Sequence, residues 1–289
     1  MHNYLLAFIL GIVEGLTEFL PVSSTAHLRI TEALLGIDLG NGYWKMFSIV
    51  IQLGAILCLP IYFRRRITEF LSTFPNGRSG DRNVITHPVT LVLIAFLCTA
   101  GPAFLLTKII GKHLESLHIM ALSLIVGGVI MWLVDVLYSR GMPPRRTDDM
   151  EQMTLGQSIW IGLCQVTSAL FPGTSRSMAT IAAGQLAGMS RTAALEFSFF
   201  LSIPTMVVAT LYEAYKTMLP HHGEHPIGSG PATPEQWITL AIGFLVSFIV
   251  AYVVVAWFMK WVRTRGFVPF AIWRLIVGIA VLVFAGRLG

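Results

Sequence analysis

Two short segments of the chain combine polar and charged residues inside apolar surroundings. Residues 14–27 read EGLTEFLPVSSTAH, and residues 165–178 read QVTSALFPGTSRSM. Their prolines align at a separation of 151 positions, and so do the hydroxyl pairs at 23–24 and 174–175. The first segment carries carboxylates and a histidine, whereas the second carries an arginine. This pattern predicts an anion-binding site that is divided between two halves of one membrane protein.

The acids of the first segment are spaced for a helix. Glu14 and Glu18 lie four residues apart and therefore share one helical face. A carboxylate inside a membrane is costly and normally faces a functional cavity. The pair can share a proton through mutual repulsion and burial, or it can bind a divalent cation through hard oxygen ligands. The structural alternative is a pair of acids that only stabilise the helix.

The hydroxyls and the histidine that follow suit the tip of a hairpin. Ser23 is placed to cap the N-terminus of the next helix. Ser24 and His27 are three residues apart and can share a face. A serine beside an imidazole is an activated nucleophile, and His27 can equally attack phosphorus itself or act as a general acid. A merely hydrogen-bonded histidine is the structural alternative.

The second segment predicts a phosphate site. A glycine-containing turn that leads into a helix exposes backbone N–H groups, and the helix dipole favours an anion there. Arg176 adds a planar fork of donors matched to phosphate oxygens. The remaining predicted phosphate-binding residues are Gly173, Thr174, Ser175, Ser177 and Thr180. The alternatives for Arg176 are a side chain that extends to the membrane interface or one that neutralises the acids.

Composition places these segments in a membrane. Hydrophobic residues make up 55% of the chain and charged residues 12%, about half the charged fraction of a soluble domain. A spanning helix needs about 20 apolar residues. Six runs are close to that length, at 46–63, 89–107, 117–138, 194–212, 237–259 and 268–285. The net charge of +5 resides in loops that flank these runs, so no nucleic-acid binding is expected.

The segments at 4–35 and 155–190 are apolar but interrupted by prolines. Irregular backbone at membrane depth is tolerated where it lines a wet cavity, so each is predicted to be a re-entrant hairpin. Three spanning helices then follow each hairpin, and an odd number inverts the second half. The predicted fold is a single all-α membrane domain with six transmembrane helices and two hairpins. Its inverted repeats are 1–138 and 155–289, and eight full spans are the alternative.

Basic residues predict the orientation. The loops at 64–88, 139–154 and 260–267 hold 11 Lys and Arg residues, whereas those at 108–116 and 213–236 hold three. Basic loops remain in the cytoplasm. Gln52 and Glu196 are further candidates for lining the site cavity. Arg274, inside the last run, is expected to need an acidic or phosphate partner.

The two motifs carry a family resemblance. The pattern at 14–27, together with PGxSRSxxT at 172–180, resembles undecaprenyl-diphosphate phosphatases of the bacitracin-resistance type. Weaker similarities at 51–54, 196–199 and 267–274 extend the resemblance over nearly the whole chain. It implies hydrolysis of undecaprenyl diphosphate to the monophosphate, which recycles the lipid carrier of peptidoglycan synthesis and gives resistance to bacitracin.

The resemblance also implies a setting for that activity. It implies a homodimer in the bacterial cytoplasmic (inner) membrane among bilayer lipids, with a periplasm-facing site that uses Mg²⁺ or Ca²⁺. The implied catalytic set is Glu14, Glu18, Ser24, His27, Ser175, Arg176 and Thr180, and Glu14 and Glu18 are expected to hold the cation. A transporter of polyprenyl phosphate or a small anion is the rival reading, because inverted repeats suit alternating access. A third reading is a purely structural membrane scaffold, but it gives Arg176 and the buried acids no role.

Overall fold

The computed structural model describes residues 2–38, 41–106, 116–144, 147–218 and 233–288. These ranges are helical and contain no strand, with one isolated bridge between Thr147 and Met189. The helices are α1 (His2–Thr17), α2 (Ser24–Leu34), α3 (Gly42–Ile56), α4 (Cys58–Tyr62), α5 (Arg64–Ser72), α6 (Pro88–Leu105), α7 (Leu117–Ser139), α8 (Leu155–Leu170), α9 (Arg176–Leu186), α10 (Arg191–Met218), α11 (Pro234–Thr264) and α12 (Val268–Leu288). A short 3-10 turn covers Met150–Gln152.

Five helical segments are long and apolar enough to cross a membrane. They are Gly42–Tyr62, which joins α3 and α4, then α6, α7, the Arg191–Tyr212 part of α10, and α11. The sixth predicted span corresponds to α12, whose apolar stretch Val268–Phe284 is shorter than the other five. The chain is therefore an all-helical membrane protein with at least five helices of spanning length.

Two helical hairpins are too short to cross. In each, a 16-residue helix (α1 or α8) is followed by an 11-residue helix (α2 or α9). These helices are about 24 Å and 16 Å long at 1.5 Å per residue, whereas the hydrocarbon core is about 30 Å thick. Proline cannot continue a helix, and Pro21 and Pro172 lie in the turns between the paired helices. These helix pairs overlap the segments at 4–35 and 155–190, and the re-entrant path of those segments stays a prediction.

The predicted cytoplasmic loops meet at one end of the bundle, which we call the basic end. Arg66 forms ion pairs with Asp149 and with Glu196, where Nε and Oε1 are 3.0 Å apart. Asp135, near the end of α7, accepts a hydrogen bond of 2.9 Å from the Phe267 N–H. These contacts bring all three basic loops together. The two predicted outer loops fall mostly outside the described residues.

The hairpins start from opposite ends of the bundle. The first begins beside the start of α11, where Asn3 Nδ2 donates to Glu235 Oε1 over 3.4 Å. The second begins and finishes at the basic end, because Gln157 Nε2 near the start of α8 donates to the Ala187 carbonyl after α9 over 2.9 Å. Their turns therefore approach each other from opposite directions.

Small residues allow the first helix of each hairpin to pack closely. Helix α1 packs on α11, and α8 packs on α6. A Cβ at Gly11 would lie 2.8 Å from the Gly243 carbonyl oxygen, and one at Gly162 would lie 2.4 Å from the Ala95 carbonyl oxygen. Small residues permit such close approach of membrane helices. Gly11 and Gly162 have the same separation as the two motif prolines, so the equivalence of the hairpins extends into their packing.

Candidate active site

Both hairpin turns end on a serine with an unusual backbone conformation. Ser23 has a φ of 74° and Ser175 has a φ of 70°, and no other non-glycine residue in the described ranges has a positive φ. Each serine caps the following helix, because Ser23 Oγ accepts from the Ala26 N–H at 3.5 Å and Ser175 Oγ from the Met178 N–H at 3.3 Å. Such conformations cost about 1–3 kcal/mol and cluster at functional sites.

The two turns differ in length by one residue. The first turn covers 18–23 and the second covers 171–175. The capping serines are 152 positions apart, whereas the prolines are 151 apart, because two residues separate Pro172 from Ser175 and only one separates Pro21 from Ser23. The predicted alignment of the hydroxyl pairs is therefore wrong by one position. Ser24 and Arg176 are equivalent, because each is the first residue of the second helix in its hairpin.

One carboxylate joins these equivalent residues. Ser24 Oγ donates to Glu18 Oε2 over 2.5 Å, and Arg176 Nη2 donates to Glu18 Oε1 over 3.0 Å. Glu18 is only 6% exposed. Hydrogen bonds with a charged partner are the strong ones, so a hydroxyl, an acid and a guanidinium from two hairpins form one buried cluster.

The cluster lines a polar cavity of about 240 Å³. Gln52 lies in its wall, as predicted, and so do Ser168 and Thr205, which the sequence analysis did not identify. Thr205 lies in a long apolar helix without any motif, so nothing in the sequence pointed to it. The cavity is lined by Glu18, Ser23, Ser24, Thr25, Gln52, Ser168, Ala169, Pro172, Gly173, Ser175, Arg176, Thr205, Met206 and Ala209.

Glu196 is not part of this wall. Its carboxylate pairs with Arg66 at the basic end, so the expectation that it faces the cavity is wrong. Arg66 comes from a basic loop and needs an acid where it is partly buried. The ion pair with Arg66 therefore directs the Glu196 side chain towards the basic end.

Behind Glu18 lies a fully buried acid. Glu14 is 0% exposed, and neither of its carboxylate oxygens has a hydrogen-bond donor among the described residues. The Arg176 Nη1 atom is likewise buried without an acceptor there. An ionised carboxylate is expensive to bury without partners. The position of Glu14 therefore calls for a proton or a cation.

The equivalent amide in the second hairpin is better satisfied. Gln165 Nε2 donates to the Thr99 hydroxyl over 3.2 Å and to the Thr205 hydroxyl over 3.1 Å. Glu14 and Gln165 are equivalent in the two segments and are equally buried. Gln165 Oε1 is buried without a partner in the described ranges, as are the Glu14 oxygens, so the two positions differ in charge and in the hydrogen bonds of the amide nitrogen.

His27 points away from the polar cavity. Its Nδ1 lies 2.8 Å from the Ser23 carbonyl oxygen, and its Nε2 lies 2.9 Å from Trp273 Nε1. Because an indole N–H can only donate, Nε2 accepts and Nδ1 carries the proton that Ser23 receives. His27 thereby holds the carbonyl of the strained cap, and it is not among the residues that line the cavity.

The predicted phosphate-binding hydroxyls divide into two groups. Ser175 lines the cavity together with Gly173 and Arg176. Ser177 instead donates to the Leu20 carbonyl over 3.0 Å and so ties the second turn to the first. Thr180 is 1% exposed, and its hydroxyl lies 2.6 Å from that of Ser198 on α10. Neither Ser177 nor Thr180 faces the cavity.

A larger apolar cavity of about 690 Å³ lies on the other side of the second hairpin. It is bounded by α7, α8 and α9, and Thr174 faces it together with Phe171. The intervening turn residues Pro172 and Gly173 face the polar cavity instead. A single short turn thus separates a polar space from an apolar one.

Within the described ranges, Arg274 has no acidic partner. It is 0% exposed and donates only to backbone carbonyls, those of Leu124, Pro21, Ser123 and Gly173. The expectation of an acid or a phosphate is therefore wrong. A sequence does not reveal which carbonyls lack a helical N–H partner, and the two hairpin turns supply such carbonyls.

The fold and the site together define a multi-pass membrane protein with a charged cavity between two convergent hairpins. The family model described as "Bacitracin resistance protein BacA" matches residues 7–280, and the chain belongs to this family. The resemblance inferred from the motifs is thereby confirmed.

Curated relatives match over the full length. A protein of Koribacter versatilis (strain Ellin345) named undecaprenyl-diphosphatase is 70% identical over 99% of both chains. Proteins of the same name are 40% identical in Caldanaerobacter subterraneus subsp. tengcongensis, over 98% of this chain and 96% of the relative, and 43% identical in Bradyrhizobium sp. (strain BTAi1), over 96% of each.

Proposed function

We propose that this protein is a membrane hydrolase that converts undecaprenyl diphosphate into undecaprenyl phosphate and inorganic phosphate. This activity recycles the lipid carrier for peptidoglycan synthesis and gives bacitracin resistance. The names of the relatives and of the family supply the substrate and the phenotype. The structural observation that carries the proposal is the Glu18 carboxylate, which bridges the Ser24 hydroxyl and the Arg176 guanidinium.

Arg176 is the main phosphate-binding group. Its Nη2 is held by Glu18, which orients the guanidinium while Nη1 stays free of acceptors among the described residues. Arg176 is also the first residue of α9, whose terminal N–H groups and dipole favour an anion at the same point. A planar fork of donors suits phosphate oxygens, so a diphosphate in the cavity meets two kinds of donor.

Ser24 is the proposed nucleophile. Its hydroxyl lines the cavity and already donates to Glu18, which is the arrangement of a nucleophile with its general base. Ser24 Oγ forms a bond to the terminal phosphorus, Glu18 takes the hydroxyl proton, and the bond to the bridging oxygen breaks. Undecaprenyl phosphate leaves, and water then hydrolyses the phosphoserine to regenerate Ser24 and release phosphate.

His27 is a less suitable nucleophile. Both of its ring nitrogens are occupied, by the Ser23 carbonyl and by Trp273. We assign it to holding the strained cap that places Ser24. This choice among the three sequence alternatives is tested by finding where the phosphoryl group becomes attached: a phosphohistidine at residue 27 contradicts it.

Glu14 and Glu18 are the residues that would hold a divalent cation. The described residues contain no cluster of three or more His, Cys, Asp or Glu side chains suited to a metal. However, Mg²⁺ commonly binds through one or two carboxylates together with waters and substrate phosphates. The two unpartnered oxygens of Glu14 fit that donor set. A bound Mg²⁺ or Ca²⁺ would neutralise phosphate charge.

The same proposal includes the inverted repeat, with halves at 1–138 and 155–289. Supporting it are hairpins of equal helix lengths that start from opposite ends, and the equivalent glycines Gly11 and Gly162. Helix α1 packs on α11 as α8 packs on α6, and these are matched contacts under a two-fold relation between the halves. Six transmembrane helices, a homodimer and a site facing the periplasm belong to the proposal as well.

The apolar cavity is the proposed location for the start of the polyprenyl chain. It lies beside the same turn that contributes Gly173 and Ser175 to the polar cavity. Apolar chains gain free energy when they leave water or fill a void. The diphosphate and the hydrocarbon of one lipid would then occupy the two sides of the second hairpin.

Phosphate release in detergent tests the proposed function. Without a membrane there is no gradient, so a transporter cannot work in this assay, whereas a hydrolase can. Purified protein is given undecaprenyl diphosphate with and without a chelator, and the monophosphate and inorganic phosphate are quantified. Equal amounts of both products, lost in Glu18→Gln, support the hydrolase. Binding of the lipid without release favours the transporter.

A further inference from the structure

We propose that Arg274 is a positioning residue that clamps the two hairpin turns in the geometry needed for catalysis. This inference rests on the proposed function. Arg274 comes from α12, far from both motifs in the sequence, and does not line the polar cavity. Its effect on the reaction is therefore exerted through the turns that it holds.

The clamp grips equivalent points of the two turns. Arg274 Nη1 donates to the Pro21 carbonyl over 3.3 Å, and Nη2 donates to the Gly173 carbonyl over 3.1 Å. Each of these carbonyls lies two residues before a strained capping serine, Ser23 or Ser175. One planar guanidinium thus fixes the backbone of both turns just before their capping serines.

The remaining donors anchor the clamp to a spanning helix. Arg274 Nε and Nη2 donate to the Leu124 and Ser123 carbonyls of α7 over 3.3 Å and 3.0 Å. Only the rigid fork of an arginine can serve several carbonyls in one plane, because a lysine offers a single compact ammonium. Glu18 joins the first residues of α2 and α9, and Arg274 joins the turns that precede these helices.

Gly127 provides the space for the clamp. A Cβ at this position would lie 2.2 Å from Arg274 Nη2, 2.8 Å from the flexible end of Met178 at Cε, and 3.0 Å from Arg274 Cζ. Only hydrogen fits there while the guanidinium keeps its contacts. A substitution at Gly127 can therefore displace the clamp without removing its charge.

The first test displaces the clamp. Gly127→Ala is compared with Gly101→Ala, a glycine of α6 at which a Cβ would meet nothing within 4 Å. We expect kcat for phosphate release to fall about 100-fold in Gly127→Ala, since a small misplacement remote from the chemistry can have that effect. Because Gly127 also lines the apolar cavity, KM is compared in Arg274→Lys, where it should change little since Arg176 still binds phosphate. Gly101→Ala should match the wild type in both constants.

The second test changes the clamp itself. Arg274→Lys should retain a monodisperse detergent profile and lose kcat to a similar extent. Adding Gly127→Ala to Arg274→Lys should cause no further loss, because the guanidinium that it displaces is absent. Multiplying losses in the double variant contradict the clamp, since independent sites are additive in free energy.

The outcomes separate this inference from the proposed function. If the wild-type protein releases no phosphate, the proposed function itself is contradicted. An active wild type with folded Gly127→Ala and Arg274→Lys variants of unchanged kcat overturns the inference alone. A loss of folding in both variants also overturns it, because Arg274 would then be needed for folding. A fall in kcat with intact folding supports the clamp.

Discussion

The two hairpins share a backbone but differ in chemistry. Each consists of a 16-residue helix, a proline turn, a serine with positive φ and an 11-residue helix. The residue after the serine is Ser24 in one hairpin and Arg176 in the other, and both contact Glu18. Two similar backbones therefore place the proposed nucleophile and the proposed phosphate-binding group against one carboxylate.

The deeper positions differ in the same direction. Glu14 is buried with unpartnered oxygens, whereas the amide nitrogen of Gln165 makes two hydrogen bonds. The first hairpin thus contains the buried acids Glu14 and Glu18, whereas the second contains the neutral Gln165 and the positively charged Arg176. The two hairpins thus differ in the side chains at corresponding positions rather than in their backbone, and the proposed diphosphate site depends on those side chains.

The largest loss of activity is expected when the positive charge of Arg176 is removed from the second hairpin. Arg176→Met should reduce kcat/KM by about 10³–10⁵-fold, the range for an arginine that stabilises phosphoryl transfer. Phosphate release from the lipid diphosphate in detergent measures it. Arg265→Met, which removes an exposed arginine stacked on Trp261, is the control and should keep wild-type activity. Substantial turnover by Arg176→Met contradicts the assignment.

The hydroxyl that is equivalent to Arg176 should come next. Ser24→Ala should lower kcat by about 10²–10⁴-fold, because both the nucleophile and its contact with Glu18 are lost. Ser72→Ala is the matched control, since it removes an exposed hydroxyl that only donates to the Glu69 carbonyl of its own helix. Mass spectrometry of wild-type protein quenched during turnover should find the phosphoryl group on residue 24. A wild-type rate for Ser24→Ala would assign attack to water or to another group.

Substitutions at the two buried positions, Glu14 and Gln165, should differ in their effect on the concentration of divalent cation needed for activity. Glu14→Gln should raise the concentration of Mg²⁺ or Ca²⁺ needed for half-maximal activity by about 10–100-fold, as loss of a supporting ligand commonly does. Gln165→Glu should leave that concentration unchanged, because its partners are threonine hydroxyls. Titration of the metal after chelation measures both. The same requirement in Glu14→Gln and in the wild type would exclude Glu14 from the cation site.

The capping serines should behave alike and affect stability more than catalysis. Ser23→Ala and Ser175→Ala should each destabilise by about 1 kcal/mol or more, because the cap is lost and the positive φ remains. The glycine variants should lose only a few tenths of a kcal/mol. Thermal unfolding in detergent measures the difference. A glycine variant that is less stable than the alanine variant would show that the φ values are not the limiting feature.

The smallest effect is expected at Thr180. Thr180→Val removes a buried hydroxyl that contacts Ser198 and should destabilise by about 1 kcal/mol, with kcat and KM unchanged. Thermal unfolding and phosphate release on the same sample measure this. A large rise in KM would return Thr180 to the phosphate-binding set.

The sequence predicted the convergence of Glu18 and Arg176, because two aligned motifs with opposite charge are informative on their own. It misaligned the hydroxyls, since both segments carry hydroxyls at successive positions and the additional residue between Pro172 and Ser175 is not evident from the pattern. The orientation of His27 depends on Trp273, which is 246 residues away in the sequence. No local spacing reports such a contact.

Long-range packing also explains the other differences. Thr180 follows Arg176 by one helical turn, yet its hydroxyl is directed to α10 by the contact with Ser198. Arg274 meets carbonyls of the two turns and of α7 in place of an acid among the described residues. Thr205 became a wall residue only through the packing of α10 against the hairpins. These features depend on which helices meet, which composition and spacing do not determine.

The measurement that tests the central claim most directly is a double-mutant cycle between the two hairpins. Ser24→Ala, Arg176→Met and the double variant are assayed for kcat/KM with undecaprenyl diphosphate in detergent. Groups that act as one unit lose far less together than the product of their separate losses. We predict a double variant close to the weaker single variant. Losses that multiply would contradict a single site shared between the hairpins.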